Sequence, residues 1–281
     1  MRVRESWSRL SRSLDGVTSP HTPPVSPTVA QSRVQTEGPR VLSRVIGIAG
    51  ELLILIGALI ALYVAWQLFY TDVQADREQQ QVLDGLSWVQ PAGTDNSDQG
   101  PVTIPAQYQF RDVAPPVTPP AEHTETFAAL FVPRWGDDYA RPISEGVERK
   151  AVLDKLGIGH YPQSAMPGEL GNVAIAGHRT SYGKPFTDVD TLAVGDAVIV
   201  QTEGAWYVYR VTDWSIVRPT AIETIAPVPG QLDAEPNGHY ITLTTCHPRY
   251  SAAQRWVVHG VLDYWAPTGH GIPPEMVEDL S

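Results

Sequence analysis

From Val45 to Trp66 the chain reads VIGIAGELLILIGALIALYVAW, 22 positions carrying a single charge, Glu51. A helix needs about 20 mostly apolar residues to cross a bilayer core of about 30 Å, and core helices of soluble proteins are usually amphipathic. The run therefore predicts one N-terminal transmembrane helix over residues 45–68. A cleaved signal peptide has a shorter apolar region close to the N-terminus; with 44 residues ahead of the run, an uncleaved anchor is the better reading. From about Thr126 the pattern changes to short β-branched and aromatic stretches punctuated by Gly, Pro and Asp. These predict strands at Thr126–Val132, Asn172–Ala176, Asp196–Thr202, Ala205–Trp214, Tyr240–Thr245 and Arg255–Leu262. Glu203-Gly204 suits a tight hairpin turn between two of them. Only short helical pieces are expected, at Val147–Leu156 and Pro185–Leu192. Close-set strands with few helices indicate an all-β fold, an antiparallel barrel or sandwich forming one domain over 126–265.

The segments around these elements are polar and proline-rich. Residues 1–40 hold five prolines and few large apolar groups. Such a segment cannot bury enough surface to offset its ordering entropy, so 1–44 reads as a disordered cytoplasmic tail. Residues 91–120 hold seven prolines and end in Ala-Pro-Pro-Val-Thr-Pro-Pro. Residues 69–125 thus read as an extracellular stalk and Pro-rich linker, a semi-rigid spacer between membrane and domain, and 266–281 as a C-terminal tail.

Charge orients the anchor. The net of -11 hides a split: residues 1–44 carry seven Arg against three acids, whereas 71–281 carry 13 basic against 27 acidic groups. Flanking positive charge stays cytoplasmic, which puts the N-terminus inside and the large C-terminal part outside, as a single-pass cell-membrane protein. The acidic balance argues against a nucleic-acid partner. One cysteine excludes an intrachain disulfide framework and any multi-cysteine zinc or iron–sulfur site. No metal or cofactor is expected.

That cysteine, Cys246, ends the run Ile241-Thr-Leu-Thr-Thr-Cys246 and precedes Pro248, which stops a strand, so it belongs at a loop rim. A lone extracellular thiol risks oxidation and is seldom kept without use. Arg255 opens the next strand; antiparallel pairing would bring it within about 5 Å of Cys246, backbone to backbone, where a guanidinium can bind a developing oxyanion. His178 follows a short apolar strand in Ala176-Gly-His178-Arg-Thr-Ser-Tyr-Gly and suits a general acid or base. Of the other histidines, only His160, in Gly159-His-Tyr-Pro, is a serious rival.

These residues resemble a known signature. Thr242-Leu-Thr-Thr-Cys246 followed by Arg255 is similar to the TLxTC…R pattern of sortases, the cell-wall transpeptidases of Gram-positive bacteria. Gly50-Glu-Leu-Leu, Gly159-His-Tyr-Pro, Ala165-Met-Pro-Gly, Gly177-His-Arg and Leu243-Thr-Thr-Cys with Pro248 resemble the class E branch of high-GC actinobacteria. The resemblance implies an eight-stranded sortase-like β-barrel with short helices. It implies cleavage of a sorting signal between Thr and Gly, a thioester on cysteine, and release to an amine of a peptidoglycan precursor such as lipid II. By it, Cys246 is the nucleophile, His178 the acid/base and Arg255 the substrate-positioning and oxyanion-stabilising group. Thr245 helps to hold substrate, and Tyr161 favours Leu-Ala-x-Thr-Gly over Leu-Pro-x-Thr-Gly. His247 and Arg249 add positive charge beside the thiol. Two other readings compete. An L,D-transpeptidase would place Ser-His-Gly where this chain has Leu-Thr-Thr, and a non-catalytic surface-binding module would be expected to lack one of the three catalytic residues.

Overall fold

The structure, a computed structural model, describes residues 40–89 and 101–277. The predicted disordered tail, the start of the proline-rich stretch and the last residues therefore lie almost wholly outside the described residues. Helix α1 runs from Arg40 to Asp84. Within it Leu42–Trp66 has a mean hydropathy of 2.6 and holds no buried residue. A helix that is apolar all round and uncovered is suited to a bilayer span.

Eight strands follow among the described residues: β1 Thr126–Phe131, β2 Ala140–Glu145, β3 Ile158–His160, β4 Gly171–Gly177, β5 Ala197–Gln201, β6 Ala205–Val217, β7 His239–His247 and β8 Gln254–Pro267. They close a barrel in the order β1-β2-β3-β4-β7-β8-β6-β5. The six predicted strands are present, and Glu203-Gly204 is the turn of the β5–β6 hairpin, closed by the Thr202 N–H to Ala205 O bond of 2.9 Å. β2 and β3 carry no clear signal in the sequence. Pro142 interrupts the first, and the second has only three residues. The barrel is also not wholly antiparallel: β2 pairs with β3, and β4 with β7, in parallel. The expected helical pieces shrink to single turns at Arg149–Leu153 and Val189–Thr191.

Side chains alternate between two cores, as the period of a strand requires. In β1, Ala128 and Leu130 point into the barrel with Ile175, Tyr207, Tyr209, Ile241 and Leu243. Ala129 and Phe131 point outward and join Ile199, Trp206, Val208 and Tyr264 in a second cluster. That outer face is covered by Leu83 of α1, by Ile104, and by Ile272 and Met276. Parts of the segments read as spacer and tail pack against the barrel. Residues 101–116 are bonded to the barrel through Phe110 and Trp265, whose backbones exchange two hydrogen bonds, and through Pro116 O, which accepts from Tyr207 Oη at 2.7 Å. Glu275, in the expected tail, is bonded by Tyr264 Oη at 2.7 Å and by Arg210. The physical reason is the outward apolar row of β1, β5 and β6, which would otherwise face water.

The barrel closes where β1 meets β5, and a polar clamp holds this seam. Arg134, just after β1, donates from Nε and Nη2 to the two Asp196 oxygens at 2.9 and 2.7 Å. The Ala193 N–H adds a third bond to Asp196, at 2.8 Å. Burial pushes the Asp196 carboxyl up, but the Arg134 and Ala193 bonds and the charges of Arg134 and Arg210 outweigh it and hold the group below the usual carboxylate range. A carboxyl depressed in the folded state stabilises fully above its unfolded pKa of about 3.9, and that contribution is lost as pH falls through the folded value. Asp196→Asn should therefore lower the Tm of the full chain at neutral pH. The gap to wild type should shrink as pH falls below about 4, read by calorimetry across the acid range. A gap that does not change with pH would show that the carboxylate charge contributes nothing at the seam.

Candidate active site

Two register relations set the site. In the antiparallel β7–β8 pair, Cys246 lies opposite Arg255 and Thr244 opposite Val257. In the parallel β4–β7 pair, Ala176 lies opposite Thr244. His178 and Cys246 each stand two residues further along, so the three residues occupy one end of three adjacent strands. Because Ile241 and Leu243 face the inner core, alternation puts Thr244 and Cys246 on the outer face of β7 and Thr245 on the inner one. Thr245 is 3% exposed, and its hydroxyl donates to Gly177 O at 2.7 Å. It ties the end of β7 to the residue before His178 and does not line the outer face.

Cys246 is a free thiol of intermediate exposure. Beside it, Arg255 directs Nη1 to the carbonyls of Ala252 and Gln254 at 3.0 and 2.9 Å. These bonds fix the guanidinium, and among the described residues its Nε and Nη2 take no partner. Arg255, Tyr161, Thr244 and Val257 line a cleft of about 110 Å³ whose other wall is the segment after β6, from Arg218 to Ile225. Tyr161 Oη and Thr244 Oγ1 are 3.1 Å apart. Thr244 gives its own proton to Ile175 O at 3.2 Å, so the tyrosine is the donor of that pair. Its oxygen lone pairs stay available to an N–H in the cleft.

His178 Nε2 lies 2.7 Å from Asp154 Oδ1, both side chains being about 15% exposed. With that N–H donated to the carboxylate, Nδ1 is the nitrogen left for proton exchange. Asp154 is a residue that sequence reasoning misses. It sits just past the helical turn at Arg149–Leu153, and no sequence spacing relates it to His178. Arg179, the last residue of the Gly177-His-Arg motif, also gains a role only in the fold. It is 3% exposed, its Nη2 is 2.8 Å from Asp190, and its Nη1 donates to His247 Nδ1 at 3.1 Å. Its Cζ stands 5.4 Å from the centre of the Trp256 ring. This packing braces His247, next to the thiol, from the residue after His178.

Arg249 points elsewhere. It bonds Thr187 O at 2.6 Å and Asp190 at 3.2 Å, so its charge serves the 187–190 segment and not the thiol. The rival His160 is 1% exposed, with Nδ1 at 2.7 Å from Glu145 and Nε2 at 3.1 Å from Ala165 O. It braces β2, β3 and the following turn, and does not meet the cleft. No group of three or more His, Cys, Asp or Glu suited to a metal ion occurs among the described residues.

Comparison with known proteins places the chain in a family. Residues 130–263 match the sortase domain family. The chain is 32% identical over 256 residues to sortase SrtE1 of Streptomyces coelicolor; the match covers 88% of this chain and 65% of that protein. The SrtA sortase from Actinomyces oris superposes with a TM-score of 0.57 at 43% identity, covering 60% of this chain and 97% of that one. Sortase E from Streptomyces avermitilis does so with a TM-score of 0.51 at 36% identity, covering 56% and 99%. A structure of sortase E1 from Streptomyces coelicolor with a tripeptide in the active site has a TM-score of 0.51 at 34% identity, covering 56% and 99%. The chain belongs to the sortase family of transpeptidases, in its class E branch.

Proposed function

We propose that this protein is a membrane-anchored cysteine transpeptidase whose reaction takes place at Cys246. The Cys246 thiolate attacks the Thr carbonyl of a Leu-Ala-x-Thr-Gly or Leu-Pro-x-Thr-Gly sorting signal, forming the C–S bond. The free Nε and Nη2 of Arg255 stabilise the oxyanion of the tetrahedral intermediate. Collapse breaks the Thr–Gly bond, and protonated His178 gives its Nδ1 proton to the departing Gly amine. The amine of a peptidoglycan precursor such as lipid II then loses a proton to His178 and attacks the thioester, and the thiolate leaves. Asp154 orients the imidazole in both halves of the reaction through the 2.7 Å contact with Nε2. The Arg-rich flank of the anchor keeps the N-terminus cytoplasmic, so the barrel works outside the membrane.

Support comes from one observation above the rest: the registers Cys246↔Arg255 and Ala176↔Thr244 align nucleophile, cation and imidazole on neighbouring strands. A binding module has no need of that alignment. The full chain, given either sorting peptide and an amine, should release the Gly-containing fragment and form the Thr-linked amine product, read by mass spectrometry. Cys246→Ala should give neither product, and turnover above background in that variant would refute the assignment.

Arg255→Lys should lose about 10²–10³ in kcat/KM, the usual scale for an oxyanion donor, because Lys keeps the charge without the planar fork. Near-normal activity would mean that charge alone suffices. For Tyr161, the bonding pattern favours a hydrogen bond from the backbone N–H that Ala has and Pro lacks. Such a bond is worth about 1–3 kcal/mol of selectivity. Tyr161→Phe should shrink the Ala-over-Pro ratio in kcat/KM, and a ratio unchanged in Phe but reduced in Tyr161→Ala would assign selection to ring shape instead.

A further inference from the structure

We propose that the extramembrane part of α1 is a positioning element for the catalytic histidine, acting through Gln79 and Asp72. The proposal rests on the assignment of His178 as acid/base. Ala75, Gln79 and Leu83 are buried at a spacing of four, one face of the helix turned to the barrel. Gln79 is 0% exposed, unusual for a polar residue on a peripheral helix. Its Nε2 donates to Tyr182 O at 3.0 Å. Its side chain also fills the space beside two glycines, Gly157 and Gly183, where an added Cβ would lie 2.8 Å from Gln79 atoms. Both glycines have positive φ, +91° and +74°, so any larger residue there is opposed by conformation and by contact.

These two glycines belong to the two loops that build the acid/base pair. Gly157 follows Asp154, and Gly183 follows His178. Around Gly183, Tyr182 and Lys184 hold φ of 54° and 39°, values that non-glycine residues keep only where the surroundings impose them. The helix supplies those surroundings at two points: Gln79 on Tyr182 O, and Asp72 on Lys184 Nζ at 3.0 Å. The Tyr182 ring in turn stands 5.2 Å from the His178 ring. A further contact, Asp76 to Arg141 of β2 at 2.8 Å, sets the helix against the barrel wall. Loosening these contacts leaves the cleft of Tyr161, Thr244 and Arg255 untouched while freeing the His178 loop, so it should lower kcat and spare KM.

The test is a charge swap across the helix–loop contact in the full-length chain in detergent. The variants are Asp72→Lys, Lys184→Asp and the double; Lys184→Asp brings in a residue type enriched at positive φ, the conformation Lys184 holds. Each single should lower kcat at least about fivefold with the peptide KM within about twofold, and the double should recover most of the loss. Hydrogen exchange over residues 178–188 should rise in the singles and return in the double, with β4 and β7 unchanged. Gln79→Ala should show the same pattern more strongly. Singles without effect on the exchange of 178–188, or a double no better than the singles, would overturn the proposal. Hydrogen exchange decides this without turnover. Absence of Cys246-dependent transfer in wild type would defeat the catalytic assignment alone.

Discussion

Parallel pairing of β4 with β7, in the register Ala176↔Thr244, brings the residues that follow the two strands to the same height. Antiparallel pairing of β7 with β8 then sets Arg255 across from Cys246. A shift of one residue in either ladder would turn a reactive side chain to the opposite face. The buried bond from Thr245 to Gly177 O opposes such a shift on the His178 side, because a shifted register would break it. The alignment is thus a property of the β4–β7–β8 ladder within the closed barrel.

The strands that carry the site are legible in the sequence because they are long, apolar and bounded by turn residues, as in Tyr240–Thr245 and Arg255–Leu262. β2 and β3 are not, since Pro142 breaks one and the other is too short for any period to register. The supposed spacer is more instructive. Ala128-Ala-Leu-Phe and Ala197-Val-Ile-Val are continuous apolar runs, whereas a half-solvated antiparallel strand alternates. Such runs require cover on both faces. Residues around Ile104, Ile272 and Met276 provide it, although their own composition resembles a linker.

Cys246, Arg255 and His178 can be picked out from their types and their positions at strand ends. Asp154, Arg179 and Gln79 cannot, because each acts through a contact that only the fold creates. Asp154 meets His178 across 24 positions, and Gln79 meets Tyr182 across 103. The placement of Thr245 illustrates the same limit from the other side: a family pattern names the residue, but the alternation of β7 decides that Thr244 faces the cleft.

Beyond the apolar segment that ends at Trp66, α1 continues and meets Lys184, Tyr182 and Arg141 before it ends at Asp84. The last turns of α1 are therefore joined to the loop that follows β4 by side-chain contacts as well as through the chain. The proposed chemistry centres on one covalent bond, and trapping it tests the account most directly. Wild-type chain mixed with a sorting peptide but no amine acceptor, quenched in acid and digested, should carry an acyl group ending in Thr on the peptide that contains Cys246. Peptide cleavage with no adduct there, or an adduct on any other residue, would contradict it.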